Sequence, residues 1–475
     1  MAASSGPTPG ALRDPGSFRD RSSHVYHLDG RVLRGLSPEA SAAFHRVVES
    51  GLWADLEARG SVVRTRELDR PEWPASLLAE GWAAVLEHER VPFVSYPYEW
   101  TFEMLRDAAL LQLDLLAAAL ARDLTFKDAT PYNFQFLGTR PILIDVPSLE
   151  PYRPGSPWVG YRQFTSQFLN PLLLEAYRGI PVGHLLRGHL EGVDPVDCWG
   201  AFTARDLLRP GVFKHVFLHA KAEARFVGTD RNVTRELSSA GFAKELILHN
   251  LRGIEKVVRG LAPRKKPSVW VGYREGNSYL EEERAAKVEV VTEAVRSLAP
   301  RLVWDLGANT GEYSRLAAGA GASVVAMDSD RAAVSRLYLE ERQGDGKGIL
   351  PLVVDLTDPS PGLGWRGRER RAIWERGRPD LVLALALLHH LVLGANLPLA
   401  EVVEWLAQVG ESLVVEFVDK RDPMSRQLLL NKVDQFPDYT VAEFERLLAL
   451  HFTIRRRVEL KSGDRVLYVC AGRAS

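Results

Sequence analysis

Apolar strands alternate with amphipathic helices in the C-terminal part of the chain, and this pattern constrains the fold more than any other feature. The apolar runs are residues 301–306, 323–327, 350–354, 380–385 and 413–418. Apolar strands joined by helical crossovers are typical of a parallel sheet that is covered on both faces. The sequence therefore predicts an α/β fold with a doubly wound sheet in this half.

Two more strands are predicted at the end of the chain. Residues 452–460 and 465–470 flank a Ser-Gly-Asp turn, a pattern that favours a β-hairpin. Many doubly wound sheets carry an antiparallel edge on otherwise parallel strands. We therefore expect a Rossmann-like sheet of five strands with a terminal antiparallel hairpin.

A glycine-rich turn, GANTG, follows the first of these strands and opens a helix. Gly307 and Gly311 let the backbone pass close to a ligand, and the helix N-terminus offers free N–H groups to a carboxylate. Asn309 tolerates the left-handed backbone conformation better than most residues. Asp305, just before the turn, can take an ammonium group. The turn is thus expected to bind an amino-acid-like end of a ligand.

Acidic residues also stand at the ends of the next two strands. Asp328 is placed to accept both hydroxyls of a ribose, and Asp355, next to Leu356, to accept from an adenine amino group. Ligands of such sheets bind at the carboxyl ends of the strands. A nicotinamide-binding domain is the alternative, but the turn lacks the dinucleotide spacing and Asp305 would repel a pyrophosphate. The sequence therefore predicts a nucleoside pocket.

These motifs resemble those of class I S-adenosylmethionine-dependent methyltransferases. VWDLGANTGEYSRL, the acidic end of the second strand and VVDLTD carry the likeness. The resemblance implies an enzyme with S-adenosyl-L-methionine as cofactor. It also implies that Asp305, Gly307 and Gly311 contact the methionine part, Asp328 the ribose and Asp355 the adenine.

Three residues are candidate catalytic bases on the acceptor side of the pocket. His389 and His390 follow the fourth strand, and neighbours in a helical turn point about 100° apart, so at most one faces the pocket. Glu416 lies within the fifth strand. A base is needed only where the acceptor loses a proton, as a sugar hydroxyl does. Buried structural roles remain the alternative for all three.

Two further segments lie near the predicted pocket. Residues 276–295 look like a loop followed by a helix, in which Tyr279 either closes over the cofactor or only packs the lid. The arginine-rich residues 365–378 either hold an anionic acceptor or form a solvated helix face.

The N-terminal half contains a second polar cluster. Residues 123–150 include NFQF, LGTR and PILID, which predict a strand, a turn and a strand. Such a hairpin brings Asn133 and Asp145 together, with Asp128 on the loop just before. Two carboxylates and an amide can hold Mg²⁺ and orient a hydroxyl. Capping of turns by Asp128 and Asn133 is the alternative.

This spacing resembles the catalytic core of protein kinases. Asp128 matches the catalytic-loop aspartate that serves as base, Asn133 the metal-binding asparagine and Asp145 the aspartate of the DFG segment. The resemblance implies a kinase-like α+β domain that binds Mg-ATP if it is active.

The front of that domain departs from the kinase pattern. The first lysine is Lys127, so the phosphate-pairing lysine is absent unless Arg31 or Arg34 replaces it, and no glycine-rich phosphate loop is visible. We therefore expect a degenerate domain that selects or presents the methyl acceptor. An Mg-ATP-dependent phosphotransferase or nucleotide sensor is the alternative.

Composition limits the partners. Sixty Lys and Arg against 61 Asp and Glu give a net charge of −1, so nothing global attracts nucleic acid or anionic lipid. Apolar runs are too short to cross a bilayer, and the N-terminus lacks the apolar core of a secretion signal. The two cysteines are far apart, which suits a reducing compartment. We expect a cytoplasmic protein without membrane or nucleic-acid partners.

The chain is predicted to have four parts. These are a flexible tail at residues 1–22, the kinase-like domain with a helical extension at 23–260, a linker at 261–267 and the methyltransferase domain at 268–475. With SYPYEW, KDATPYN and DLGANTG in this order, the chain resembles a family of bacterial two-part methyltransferases, some related to nodulation proteins. That resemblance implies a small-molecule or glycan acceptor.

Overall fold

An antiparallel sheet opens the chain in the computed structural model, which describes residues 10–226, 244–264, 281–344, 346, 348–430 and 432–473. The strands are β1 (Leu12–Arg13), β2 (Ser23–Leu28), β3 (Arg31–Leu36), β4 (Thr65–Glu67) and β5 (Ala84–His88), with helices α1 (Pro38–Glu49), α2 (Leu52–Ala58) and α3 (Ala75–Ala79) between them. Their order in the sheet is β1-β2-β3-β5-β4. Because β1 pairs with β2, regular structure begins inside the segment predicted as a flexible tail.

A long buried helix, α4 (Phe102–Leu120), follows this sheet. Thr101 caps it by accepting a hydrogen bond from the Met104 backbone N–H at 3.2 Å. The chain then forms β6 (Leu124–Phe126), β7 (Phe134–Leu137), β8 (Arg140–Leu143) and β9 (Leu149–Pro151). Strands β7 and β8 pair antiparallel, which confirms the predicted hairpin, and β9 returns to pair with β6.

Helices complete the N-terminal half. They are α5 (Tyr161–Phe164), α6 (Asn170–Arg178), α7 (Val182–Gly188), α8 (Pro195–Gly200), α9 (Leu218–Phe226) and α10 (Lys244–Gly260). Helix α10 buries Ile247, Leu251, Ile254 and Val258 along one stripe and packs with it against α4. Antiparallel strands followed by packed helices make this half α+β.

The C-terminal half is built on a seven-stranded sheet of order β12-β11-β10-β13-β14-β16-β15. Its strands are β10 (Leu302–Leu306), β11 (Ser323–Asp328), β12 (Ile349–Val353), β13 (Leu381–Ala384), β14 (Ser412–Val418), β15 (Phe452–Glu459) and β16 (Arg465–Gly472). The first five are parallel, and β16 runs antiparallel between β14 and β15. The predicted doubly wound sheet with a terminal antiparallel hairpin is confirmed.

Within residues 281–473, as far as the structure describes them, six helices flank this sheet. They are α11 (Glu281–Leu298), α12 (Glu312–Gly319), α13 (Arg331–Gln343), α14 (Leu399–Val409), α15 (Pro423–Leu429) and α16 (Val441–His451). None of the helices in the described part of the chain is both long and apolar enough to span a bilayer.

The arginine-rich segment packs only in part against the N-terminal half, while residues 364–368 are exposed. It contains only two short 3₁₀ turns, Trp365–Gly367 and Ile373–Glu375. The Arg376 side chain is fully buried and forms an ion pair with Glu99 at 2.5 Å. Its guanidinium lies 4.7 Å from the centroid of the Tyr96 ring. The solvated-face interpretation is therefore wrong for Arg376, because its charge is neutralised by a distant buried carboxylate that the local sequence does not reveal.

Apolar packing also joins the two halves. The rings of Phe93 and Trp304 meet edge to face with centroids 5.7 Å apart, and those of Phe136 and Tyr338 with centroids 6.2 Å apart. The Tyr338 hydroxyl donates to Asp107 on α4 at 2.7 Å. A single apolar core thus continues from the N-terminal helices into the C-terminal sheet.

Candidate active site

A cavity of about 480 Å³ opens at the carboxyl ends of β10 to β13. The strand order reverses between β10 and β13, which is where open α/β sheets bind their ligands. Six predicted cofactor residues line the cavity: Asp305, Gly307, Asn309, Asp328, Asp355 and Leu356. Gly311 shapes the turn without lining the cavity, and Tyr279 lies outside the described residues.

The turn after β10 has an unusual backbone. Gly307, Asn309 and Gly311 have φ of 74°, 49° and 79°, the left-handed region that favours glycine and tolerates asparagine. A Cβ at position 311 would lie 2.5 Å from Leu337 Cδ1. The turn therefore fits closely, and it directs the N-terminus of α12, whose first N–H groups lack helical partners, to the cavity.

Asp305 is the most buried carboxylate of the cavity lining. It is 2% exposed, and Ser314 Oγ donates to its Oδ2 at 2.6 Å. Burial raises the pKa of Asp305 to about 6, the nearby charge of Asp328 adds to this, and the hydrogen bond from Ser314 opposes it. A cation bound beside Asp305 would relieve the cost of its buried negative charge.

Asp328 connects the first two loops of the site. Its two carboxylate oxygens accept backbone N–H groups of Asn309 and Asp330, each at 2.8 Å. Burial raises its pKa. Each oxygen keeps a lone pair for a hydroxyl donor.

Asp355 is exposed at the rim of the cavity. Its Oδ1 accepts from the backbone N–H and the hydroxyl of Thr357, at 2.9 and 2.7 Å. It therefore stabilises its own turn while lining the cavity.

Of the two histidines, only His390 lines the cavity. His389 is fully buried, neither of its ring nitrogens has a hydrogen-bond partner, and its ring centroid lies 4.2 Å from that of His390. The expectation that at most one faces the pocket is confirmed. Burial and the charge of Arg465 lower the pKa of His390, so its imidazole is neutral near pH 7 and can accept a proton.

Glu416 lies beneath the cavity and does not line it. Lys287 Nζ approaches its carboxylate to 2.6 Å, and Arg465 Nη1 to 3.1 Å. Burial raises the pKa of Glu416, but the two cations outweigh burial and hold that pKa below its usual value. A carboxylate kept ionised in this way is a weak base, so the geometry favours the structural alternative.

Lys287 is a cavity residue that the sequence interpretation missed. On α11 it shares a buried stripe with Glu283, Val290 and Ala294. Lys287 falls at the helical spacing of the apolar stripe on α11, and this position could have revealed it. A charged side chain at such a position is buried only when it is paired, so it points to a buried partner.

The polar cluster of the N-terminal half is assembled by the β7–β8 hairpin. Asn133 Nδ2 donates to Asp128 Oδ1 at 2.7 Å, and Arg34 Nη1 from β3 donates to Asp145 Oδ1 at 2.8 Å. Burial raises the pKa of Asp128 to about 7, and the charge of Asp145 contributes. Arg31 pairs with Glu87 instead, at 2.5 Å.

Among the residues that the structure describes, no three or more His, Cys, Asp or Glu side chains are arranged to hold a metal ion. The resemblance to kinases would place Mg²⁺ at Asn133 and Asp145.

We compared the chain with family models, solved structures and curated proteins. No family model matches it. NodS, an N-methyltransferase from Bradyrhizobium japonicum WM9 solved with S-adenosyl-L-homocysteine, is 12% identical with a TM-score of 0.31, over 42% of this chain and 92% of that one. The bifunctional kinase-methyltransferase WbdD is 16% identical with a TM-score of 0.31, over 44% of each chain.

One curated relative matches along almost its full length. Nodulation protein NoeA of Rhizobium meliloti (strain 1021) is 36% identical over 467 residues, which are 97% of this chain and 96% of that protein. Because this identity extends over nearly the whole of both chains, the protein belongs to the family of the nodulation protein NoeA.

Proposed function

We propose that this protein is an S-adenosylmethionine-dependent methyltransferase. The observation that carries the proposal is the cavity at the reversal of strand order, where Asp305, Asp328 and Asp355 stand in sequence at the ends of three adjacent strands. This is the arrangement that the resemblance to class I methyltransferases implies.

The residues of the cavity fit that cofactor. Buried Asp305 suits an ammonium group, and the N-terminus of α12 suits a carboxylate. Asp328 can accept ribose hydroxyls, and Asp355 with Leu356 can receive the adenine. When bound, S-adenosylmethionine supplies a methyl group activated by the sulfonium. The ammonium, carboxylate and nucleoside parts of the cofactor would thus each face a complementary group of the protein.

The rest of the cavity would serve the acceptor. Methyl transfer is a direct displacement, so the protein contributes mainly by aligning the acceptor and excluding water. His390, neutral and on the cavity wall, would take the proton of an acceptor hydroxyl. The acceptor is a small molecule or a glycan, as the resemblance to bacterial two-part methyltransferases implies, and the N-terminal half selects or presents it.

Calorimetric titration of the full chain tests this function. S-adenosylmethionine and S-adenosylhomocysteine should each bind at one site per chain, because both carry the amino acid and the nucleoside that the cavity fits. The absence of binding by either compound would refute the proposal.

The affinity for the cofactor should depend on pH through Asp305. The ammonium group favours ionised Asp305, whose pKa is raised to about 6 in the free protein. The affinity should therefore be constant above that pH and fall by up to about tenfold per pH unit below it. Titrations between about pH 5 and about pH 8 measure this. Asp305→Asn should remove most of the dependence, and equal affinities in wild type at both extremes would contradict the assignment.

A second candidate function is Mg-ATP-dependent phosphotransfer or nucleotide sensing by the N-terminal half. It is favoured by the contact of Arg34 with Asp145, which puts a cation where the missing lysine was expected, and by Asp128, whose pKa of about 7 suits a general base. Asn133 and Asp145 would hold Mg²⁺. The same calorimetric experiment with Mg-ATP tests it, and binding that persists in Asp145→Ala would count against it.

A further inference from the structure

The loop that follows β13 contains a disfavoured backbone conformation at the cavity wall. Ala386 has φ of 49°, in the left-handed region that is unfavourable for a residue with a Cβ. Leu385, Ala386 and Leu387 all line the cavity. A strained residue at a binding site persists only where its surroundings hold it.

Glu416 is the group that holds Ala386. Its Oε2 accepts the Ala386 backbone N–H at 2.8 Å. Strands β13 and β14 are parallel neighbours with Ala384 opposite Val415, so the next residue of β14 lies beside the start of the loop. A hydrogen bond from a backbone N–H to a buried carboxylate is among the stronger ones in proteins.

The Glu416 carboxylate is itself fixed from two other elements. Lys287 on α11 and Arg465 on β16 both pair with it, and Arg465 Nε also donates to Asp422 at 2.7 Å. All four side chains are buried. Moving the carboxylate away from Ala386 would therefore weaken the charge compensation of both buried cations.

The loop approaches the glycine turn closely. The Leu387 side chain lies 3.3 Å from where a Cβ on Gly307 would be. A shift at Ala386 would therefore reach the turn that contains Asn309 and directly follows the strand of Asp305.

We propose that Glu416 is a positioning residue that holds residues 385–387 in their left-handed turn against Gly307, and so shapes the cofactor cavity from beneath. The inference rests on the proposed function, because the affinity for S-adenosylhomocysteine reports the shape of the cavity. It differs from the base predicted from the sequence, since Glu416 would never contact the reacting atoms.

The test compares variants that differ only at the positions in question. Glu416→Leu alone removes the carboxylate that pairs with the buried Lys287 and can prevent folding, so Lys287→Met provides the baseline. In that baseline Arg465 still compensates Glu416. Adding Glu416→Leu should weaken S-adenosylhomocysteine binding by about tenfold or more, because the Ala386 N–H loses its acceptor. Circular dichroism checks that each variant is folded.

Rescue by glycine separates positioning from general destabilisation. Adding Ala386→Gly to the double variant should recover most of the lost affinity, since glycine adopts the left-handed conformation without a side-chain penalty. A double variant that binds as tightly as Lys287→Met, or a triple variant no better than the double, would overturn the proposal.

A ligand-free measurement distinguishes a failure of this inference from a failure of the proposed function. Hydrogen exchange of the Ala386 amide should be about tenfold or more faster in the double variant than in Lys287→Met. Equal exchange rates would overturn the positioning role. Absence of cofactor binding by the wild type, together with faster exchange in the double variant, would refute only the proposed function.

Discussion

Asp328→Ala is expected to weaken binding of S-adenosylmethionine about hundredfold, the largest effect of any single change in the cavity. Two losses combine in this variant. The ribose hydroxyls lose a charged acceptor, and the backbone N–H groups of Asn309 and Asp330 lose the carboxylate that holds their loops together. Calorimetric titration of the full chain measures the change.

Asp358→Ala is the matched control for this variant. Asp358 carries the same charge in the same half, but it pairs with Arg187 outside the cavity, and its side chain is 74% exposed. Its removal should change the affinity by less than about twofold, because exposed ion pairs contribute little. Equal affinities of the two variants would show that Asp328 does not contact the ligand.

Arg376→Met is expected to lower the free energy of unfolding by about 3–5 kcal/mol, because it leaves Glu99 buried with no counter-charge. Glu99 is 1% exposed, and both of its oxygens accept from Arg376. Urea denaturation followed by tryptophan fluorescence measures the shift in midpoint.

The charge-matched variant shows whether the lost pairing causes the effect. Arg376→Met with Glu99→Gln should recover most of the stability, since the neutral amide can still accept the Tyr96 N–H that Glu99 accepts at 3.0 Å. Arg371→Met, a control at a partly exposed arginine of the same segment, should cost less than about 1 kcal/mol. A midpoint for Arg376→Met equal to that of Arg371→Met would contradict the argument.

The C-terminal sheet could be predicted from the sequence because its signals are local. Each strand is an apolar run, and Asp305, Asp328 and Asp355 follow from where those runs end. Parallel strands bring their ends to one edge, so the residues of the cavity could be grouped without knowing any contact. The cavity lining bears out this grouping for these three residues.

The partners of buried charges could not be predicted, because they are remote in sequence. Lys287 meets Glu416 across 129 residues, and Arg376 meets Glu99 across 277. Residue type alone therefore left a base and a structural role open for Glu416, and an anion site and a solvated face open for the segment that contains Arg376. His389 and His390 illustrate the same limit, since helical periodicity predicts that at most one of them faces the cavity and only packing decides which.

The N-terminal polar cluster shows the same division between local features, which could be predicted, and remote partners, which could not. The β7–β8 hairpin follows from two strand-like runs and the turn between them, so the grouping of Asn133 and Asp145, with Asp128 on the preceding loop, was expected. Arg34 reaches Asp145 from a strand 111 residues earlier, and the sequence left Arg31 and Arg34 equally possible. The arrangement of β3 over the hairpin decides between them.

The pair of Arg376 with Glu99 also limits how the protein can be divided. A cut between α10 and α11 would leave one fragment with a bare buried carboxylate and the other with a bare guanidinium, and would expose Phe93 and Trp304 to water. The two halves are therefore not independent domains joined only by a linker. Exchange of either half between relatives requires its counterpart to carry the complementary charge at this buried position.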